Sequence, residues 1–264
     1  MALFKLNYQN VNLNDLVSEP KLEGSFNNKL AAEPLAVRHW VFDQGNSDSF
    51  KDLVNGVDIT RQSAEINERF NSLILPKEVG NGLISDIQCS GKDIIFAVVK
   101  KLPKSPNTLL IAGNANEDVQ SGGGVLLNST GSTTLSMRCR LNDGSTPSIS
   151  SSRYSYVAES EWYFVAGYVG DIDSISSLAI FMGPDSFASK DISSSGRNFS
   201  NRSLAVGNAY YQDHPSVADT QIAEFGIIQG QELTPEYGKT LFEHSKQRML
   251  KRGIKLFNLT INDI

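Results

Sequence analysis

The sequence predicts an all-β sandwich with a single helix near its C-terminus. Three observations carry this. Turn-forming residues collect in clusters at Asn114–Gly124, Ser145–Ser152 and Ser193–Ser203, where glycine supplies positive φ and Asn or Ser bonds its own backbone. The runs between the clusters are short and rich in β-branched and aromatic residues. One segment alone keeps a helical period. Many short strands with turns between them argue for stacked sheets and against a βαβ architecture.

In chain order, strands are expected near Arg38–Asp43, Asn71–Leu75, Leu83–Gln88, Asp93–Lys100, Thr108–Ala112 and Gly124–Leu127. They continue at Thr133–Arg140, Tyr154–Ala158, Glu161–Val169, Leu178–Met182, Ser203–Val206 and Thr220–Ile228. Two of them are apolar on both faces. Ile94, Phe96 and Val98 oppose Ile95, Ala97 and Val99, and Trp162, Phe164 and Ala166 oppose Tyr163, Val165 and Val169. Such strands belong in the middle of a sheet covered on both sides. Leu135, Met137 and Cys139 instead alternate with Ser136, Arg138 and Arg140, the pattern of a half-exposed strand with Cys139 pointing inward. Gly122-Gly123-Gly124 opens no helix and reads as a hairpin turn rather than a phosphate cradle.

The helix is expected at about 234–252. Thr234 is its N-cap, Pro235 its first residue and Glu236 an early acid. Tyr237, Leu241, Ser245 and Met249 recur at i+4, basic residues gather at the end where they complement the dipole, and Gly253 follows. At the other end of the chain, Leu3, Phe4, Leu6, Val11, Leu13 and Leu16 fall in no firm period. Residues 1–34 therefore read as an arm that joins the sheet or docks on a partner chain, and residues 35–264 as the sandwich.

With 264 residues, 40% of them hydrophobic, the chain can bury a sizeable core. Its apolar runs are far shorter than the ~20 residues of a membrane helix, and no leader pattern follows Met1. The formal charge is −5, with no basic run longer than a pair before the C-terminal helix, which argues against nucleic acid. Cys89 and Cys139 read as free buried thiols, and two cysteines with three histidines give no zinc pattern. No nucleophile elbow, Walker loop, zincin or EF-hand motif occurs. Acid pairs occur at Glu159/Glu161, at the start of a strand, and at Asp171/Asp173, in a loop; the first has a spacing that glycoside hydrolysis could use, and a solvated strand edge explains it equally well.

Arg38-His39-Trp40-Val41-Phe42-Asp43 followed by Asp52-Leu53-Val54-Asn55-Gly56 resembles the opening strand and turn of laminin-G-like domains in the concanavalin A-like lectin/glucanase superfamily. Glu161–Gly167 resembles that group's central strand, and Leu204-Ala205-Val206-Gly207-Asn208 is similar to its apolar strand ending in Gly-Asn. Thr220–Ile228 with the helix resembles its closing elements. The match runs from about Leu35 to Gly253. It implies a two-sheet antiparallel jelly-roll sandwich that often binds glycans. The glucanase branch's Glu-x-Asp-x-x-Glu strand is missing here, so the resemblance implies no hydrolase. It leaves calcium open, with Asp48, Asp52, Asp171 and Asp173 as conceivable donors, and implies no other cofactor.

A sugar stacks its apolar face on a ring while its hydroxyls need donors and acceptors. Tyr210, Tyr211, Gln212, Asp213 and His214 form the segment best suited to that. His39 beside Trp40 reads as a satisfied core-edge histidine. Because modules of this family work outside cells and are frequent in bacteriophage virions, the expected role is a non-enzymatic virion protein that binds host-surface polysaccharide. Its expected location is the virion, after synthesis in host cytoplasm. A structural role decorating a capsid or tail is the alternative, and a polysaccharide hydrolase or lyase the third reading. Other virion subunits, a second copy of the chain, and host polysaccharide are the expected partners, with no nucleic acid and no membrane insertion.

Overall fold

The computed structural model describes residues 30–43, 49–101, 108–115, 124–172, 175–192, 196–211 and 217–258. Among them, strands run in the order β1 (Ala36–Val41), β2 (Thr60–Arg61), β3 (Asn67–Arg69), β4 (Ser72–Leu75), β5 (Leu83–Gln88) and β6 (Lys92–Lys100). Next come β7 (Thr108–Gly113), β8 (Val125–Thr130), β9 (Thr134–Cys139), β10 (Ser148–Ser151), β11 (Trp162–Ile172) and β12 (Ile175–Met182). The last are β13 (Ser186–Ile192), β14 (Ser203–Val206), β15 (Val217–Ala218) and β16 (Thr220–Gln229), followed by the helix α1 (Pro235–Leu250). They form two 8-stranded sheets. The first is ordered β13-β12-β11-β6-β16-β4-β3 with β1 beside β16, and the second β10-β9-β8-β7-β14-β5-β2 with β15 beside β7. Pairing is antiparallel throughout except for the two-residue β15–β7 contact.

The strands apolar on both faces do lie mid-sheet: β11 sits between β12 and β6, and β6 between β11 and β16. Ile95, Ala97, Val99, Tyr163 and Val165 point into the sandwich and meet Ile111, Leu127, Leu135, Met137 and Leu204 of the second sheet. Phe96, Phe164 and Phe181 point the other way and are covered by α1, whose Phe242 lies 6.0 Å from Phe164. The first sheet is thus the middle layer of three, which is why its central strands carry no polar face. The two sheets meet at their margins: Ser151 Oγ on β10 lies 3.0 Å from Ser186 Oγ on β13. On the opposite margin Arg61 of β2 pairs with Glu68 of β3 at 3.0 Å.

The helix begins as its cap predicts, with Thr234 Oγ1 accepting the Tyr237 N–H at 3.1 Å. Two expectations are corrected. Tyr154–Ala158 is not a strand: Ser152–Tyr156 forms a 3₁₀ turn. Tyr154 and Val157 are buried while Tyr156 is exposed, a spacing of three that matches the 3₁₀ repeat and not a period of two. The serine cluster at Ser145–Ser152 contains β10, whose backbone pairs with β9 from Ser148 to Ser151. Gly122 and Gly123 lie outside the described residues, but β7 and β8 on either side of them do pair as an antiparallel hairpin.

Candidate functional site

The second sheet turns its inner face to the core and keeps an outer face that α1 does not cover. Strand alternation decides what lies there. On β9, Leu135, Met137 and Cys139 are in the core, so Ser136 and Arg138 point outward. On β8 the outward positions are Leu126 and Asn128, and on β7 Leu110. Register then aligns them in rows. Leu110 faces Asn128, Asn128 faces Ser136, and Ser136 faces Ser150. In the neighbouring row, Leu126 faces Arg138, and Arg138 faces Ser148.

The polar members of this face differ in how far they are satisfied. Ser136 Oγ and Ser150 Oγ lie 2.7 Å apart and bond each other. Asn128 is 2% exposed. Its Nδ2 donates to Ser129 O at 2.8 Å, but its Oδ1 has no partner. Arg138 is half-buried, and its Nε also lacks a partner. The face opens to solvent toward β10, where Ser148 and Ser150 are exposed. The groups of this face that solvent reaches are therefore the serines of β10, while Asn128 Oδ1 and Arg138 Nε are enclosed.

The tyrosine segment lies against the same face. Gly207, at φ +69°, turns the chain after β14, and its N–H donates to Ile111 O at 2.9 Å. A Cβ there would stand 2.6 Å from Leu75 Cδ1, so only glycine fits the turn. Asn208 then pins the loop from both ends: its Nδ2 donates to Lys77 O at 2.6 Å and its Oδ1 accepts the Tyr211 N–H at 3.0 Å. Tyr211 packs against the small apolar cluster formed by Leu110, Leu126 and Val217. Tyr210 donates its hydroxyl to Ser203 O at 2.9 Å, and the Arg202 guanidinium stands 5.4 Å from its ring centre. Burial pushes the Tyr210 hydroxyl's pKa up, against the opposing Arg202 charge. Gln212, Asp213 and His214 lie outside the described residues.

The other candidates have structural occupations. His39 is fully buried under α1. The Glu33 N–H donates to His39 Nδ1 at 2.9 Å, which makes that nitrogen an acceptor and leaves the proton on Nε2, bonded to Glu224 Oε1 at 2.7 Å. Arg248 Nε donates to the same Glu224 oxygen at 2.6 Å and its Nη1 to Glu33 Oε2 at 3.3 Å, with His244 Nδ1 3.1 Å from Glu33 on the outer side. The basic end of the helix is thus more than a dipole complement, because Arg248 and Arg252 are buried and bonded inward. Burial alone would raise the Glu224 pKa, but Arg248 and His39 outweigh it and hold the carboxyl at about 2.

Glu161 Oε2 accepts the Ala158 N–H at 2.7 Å and closes the turn before β11. Asp52 accepts the N–H groups of Val54, Asn55 and Val57 at 2.7, 3.0 and 2.8 Å. Asp171 pairs with Arg197 at 3.3 Å and accepts Ser176 Oγ at 2.6 Å. Asp48 and Asp173 lie outside the described residues. Among the described residues, no group of three or more His, Cys, Asp or Glu is placed to hold a metal ion. Cys89 and Cys139 are free thiols, each pushed by burial to a pKa of about 12.

Sequence reasoning missed Asn128, Ser148 and Ser150 as site residues. The outward Ser136–Arg138 alternation was readable, but what it faces depends on cross-strand register.

No protein-family model and no curated protein matches the chain. Its fold is similar to the receptor-binding domain of botulinum neurotoxin D, with a TM-score of 0.57 and 13% identity over 81% of this chain and 54% of that one. The binding domain of botulinum neurotoxin serotype G gives 0.56 and 14% over 80% and 51%. A botulinum neurotoxin type C structure, described by the dependence of that toxin's cell entry on two ganglioside molecules, gives 0.53 and 14% over 78% and 51%. This chain spans about half the length of those chains, and at such identities the likeness is one of fold.

Proposed function

We propose that the chain is a non-enzymatic binding module that takes a saccharide on the outer face of its second sheet. The carrying observation is the packing of Tyr211 against the outer cluster of Leu110, Leu126 and Val217, since Leu110 begins the row that continues through Asn128 and Ser136 to Ser150. A tyrosine ring on the same face as exposed serine hydroxyls is the kind of surface a sugar uses, because its C–H face stacks while its hydroxyls bond. The pinning of the loop by Asn208 holds the ring in place before binding, which lowers the ordering cost. Among the described residues, β7, β8, β9, β10 and β14 carry no Asp or Glu, which argues against a carboxylate pair for glycoside cleavage on those strands. The similar fold of neurotoxin receptor-binding domains, one of them described by ganglioside interaction, supports the same direction.

The setting proposed for this activity is a bacteriophage virion, with the face presented to host-surface polysaccharide and many copies compensating for weak single sites. That setting draws on the resemblance to laminin-G-like modules of the concanavalin A-like group.

A glycan array followed by titration of the hits tests the reading. Saturable binding is expected, lost in Tyr211→Ala and weakened severalfold in Ser150→Ala, with the far-UV spectrum unchanged and no reducing ends released. Binding indifferent to both substitutions would move the site elsewhere, and a silent array would remove the glycan reading.

A further inference from the structure

We propose that the corner where the β3–β4 turn meets the end of α1 is a peripheral docking surface for an anionic lipid bilayer, separate from the saccharide face. Phe70 sits in the two-residue turn between Arg69 and Ser72, which face each other across the hairpin. It is 77% exposed, more than any other large apolar side chain among the described residues. The turn beneath it is fixed. Asn71 stands at φ +64° and is buried, with its Nδ2 donating to Arg252 O, and Ser72 Oγ accepts Gln221 Nε2 at 3.0 Å. A non-glycine residue in the left-handed region persists where its surroundings hold it there, and here they hold the turn with Phe70 projecting into solvent. The Asn71–Arg252 bond also joins the turn to the end of the helix, where Leu250 is 55% exposed. Exposed apolar residues scattered singly are ordinary, but these two are brought together by a buried bond between distant parts of the chain.

Charge selects the partner. Arg69, Lys251 and Lys255 are exposed on the segments that meet at this corner, and among the described residues their side chains have no acidic partner. The other charges nearby are met within the protein. Arg252 is buried and bonded to Phe42 O and Ala223 O, with Asp43 and Glu224 as counter-charges, and Glu68 pairs with Arg61 at 3.0 Å. Three unmatched cations therefore surround an apolar tip on a chain whose formal charge is −5. The tip is convex, so a protein partner would need a pocket to receive Phe70, whereas the interface of a bilayer closes around an apolar side chain while cations beside it stay among the headgroups. Each Lys or Arg near an anionic leaflet strengthens binding about fivefold.

The test is co-sedimentation of the full chain with sugar-free vesicles, one set of phosphatidylcholine alone and one with about 30% phosphatidylserine, at about 0.15 M salt. Binding to the anionic vesicles should exceed binding to the neutral ones at least about tenfold, and Arg69→Gln combined with Lys251→Gln should remove most of that excess. Phe70→Ser should weaken binding to the anionic vesicles about tenfold, the loss expected when one large apolar side chain no longer leaves water. Phe70→Trp should keep the binding, and its added fluorescence should be quenched by brominated lipid. Far-UV spectra and unfolding midpoints establish that the variants fold. No binding to either kind of vesicle, equal binding to both, binding unmoved by Phe70→Ser, or a Phe70→Trp signal that brominated lipid leaves unquenched overturns the proposal. So does sedimentation velocity in which Phe70→Ser dissociates a dimer of the chain, because the corner would then be a contact between copies. Since the vesicles carry no sugar, each of these outcomes leaves the saccharide reading where it stood.

Discussion

At the residue scale, the most constrained group is Glu224. It is fully buried, and its Oε1 collects both the His39 Nε2–H and the Arg248 Nε–H. Removing one partner of such a pair leaves a buried charge alone, so Arg248→Met should destabilise the protein by ~3–5 kcal/mol in urea unfolding. The pH dependence follows from the lowered carboxyl. A glutamate at about 2 when folded and near 4.5 when unfolded contributes stability that is fully present above pH 4.5. That contribution is lost as pH falls toward 2, and it is on the order of 3 kcal/mol. Urea midpoints measured from pH 7 to pH 2.5 should fall across this window, and Glu224→Gln should flatten the fall. His39 shows how far residue-level reading reaches: its confinement to the core was legible from Trp40 beside it, but its partners, Glu33 and Glu224, come from 6 and 185 residues away.

At the element scale, α1 was readable because caps and periodicity are local. Thr234→Ala should cost ~1 kcal/mol by removing the bond to the Tyr237 N–H. Gly238 gives the opposite lesson. Inside a helix Gly→Ala normally stabilises by ~1 kcal/mol. Here an added Cβ would stand 2.4 Å from the Phe181 ring, so Gly238→Ala should lower the thermal midpoint, with a cost of ~1–3 kcal/mol for overpacking. The sequence offers no sign of this, because Phe181 lies on β12 and meets the helix only through packing. β10 and β13 escaped sequence reading for a related reason. Both are margin strands, and Ser148–Ser151 is strand because β9 offers it hydrogen bonds, not because serine prefers extended backbone.

At the scale of the whole molecule, circular dichroism should report mostly β structure with helix below a third, since among the described residues strands dominate and α1 is the one α-helix. Described core packing begins with Glu33 and β1. A chain lacking residues 1–30 should therefore unfold cooperatively with the same β spectrum; loss of cooperativity would place those residues in the core. Local sequence was enough to specify the fold class, the central pair β6 and β11, the helix with its cap, and the outward Arg138. Each of these is written in side-chain period or capping chemistry within a few residues. Tertiary packing was needed to line up Leu110, Asn128, Ser136 and Ser150 in one row, and to join Glu33, His39, Glu224 and Arg248 in one buried network. In the first case, register aligns strands separated by turns whose lengths carry no pairing code. In the second, the helix folds back over the sheet and joins groups from opposite ends of the chain. Short-range preferences do not encode either arrangement; both follow from burying two sheets and a helix against one another.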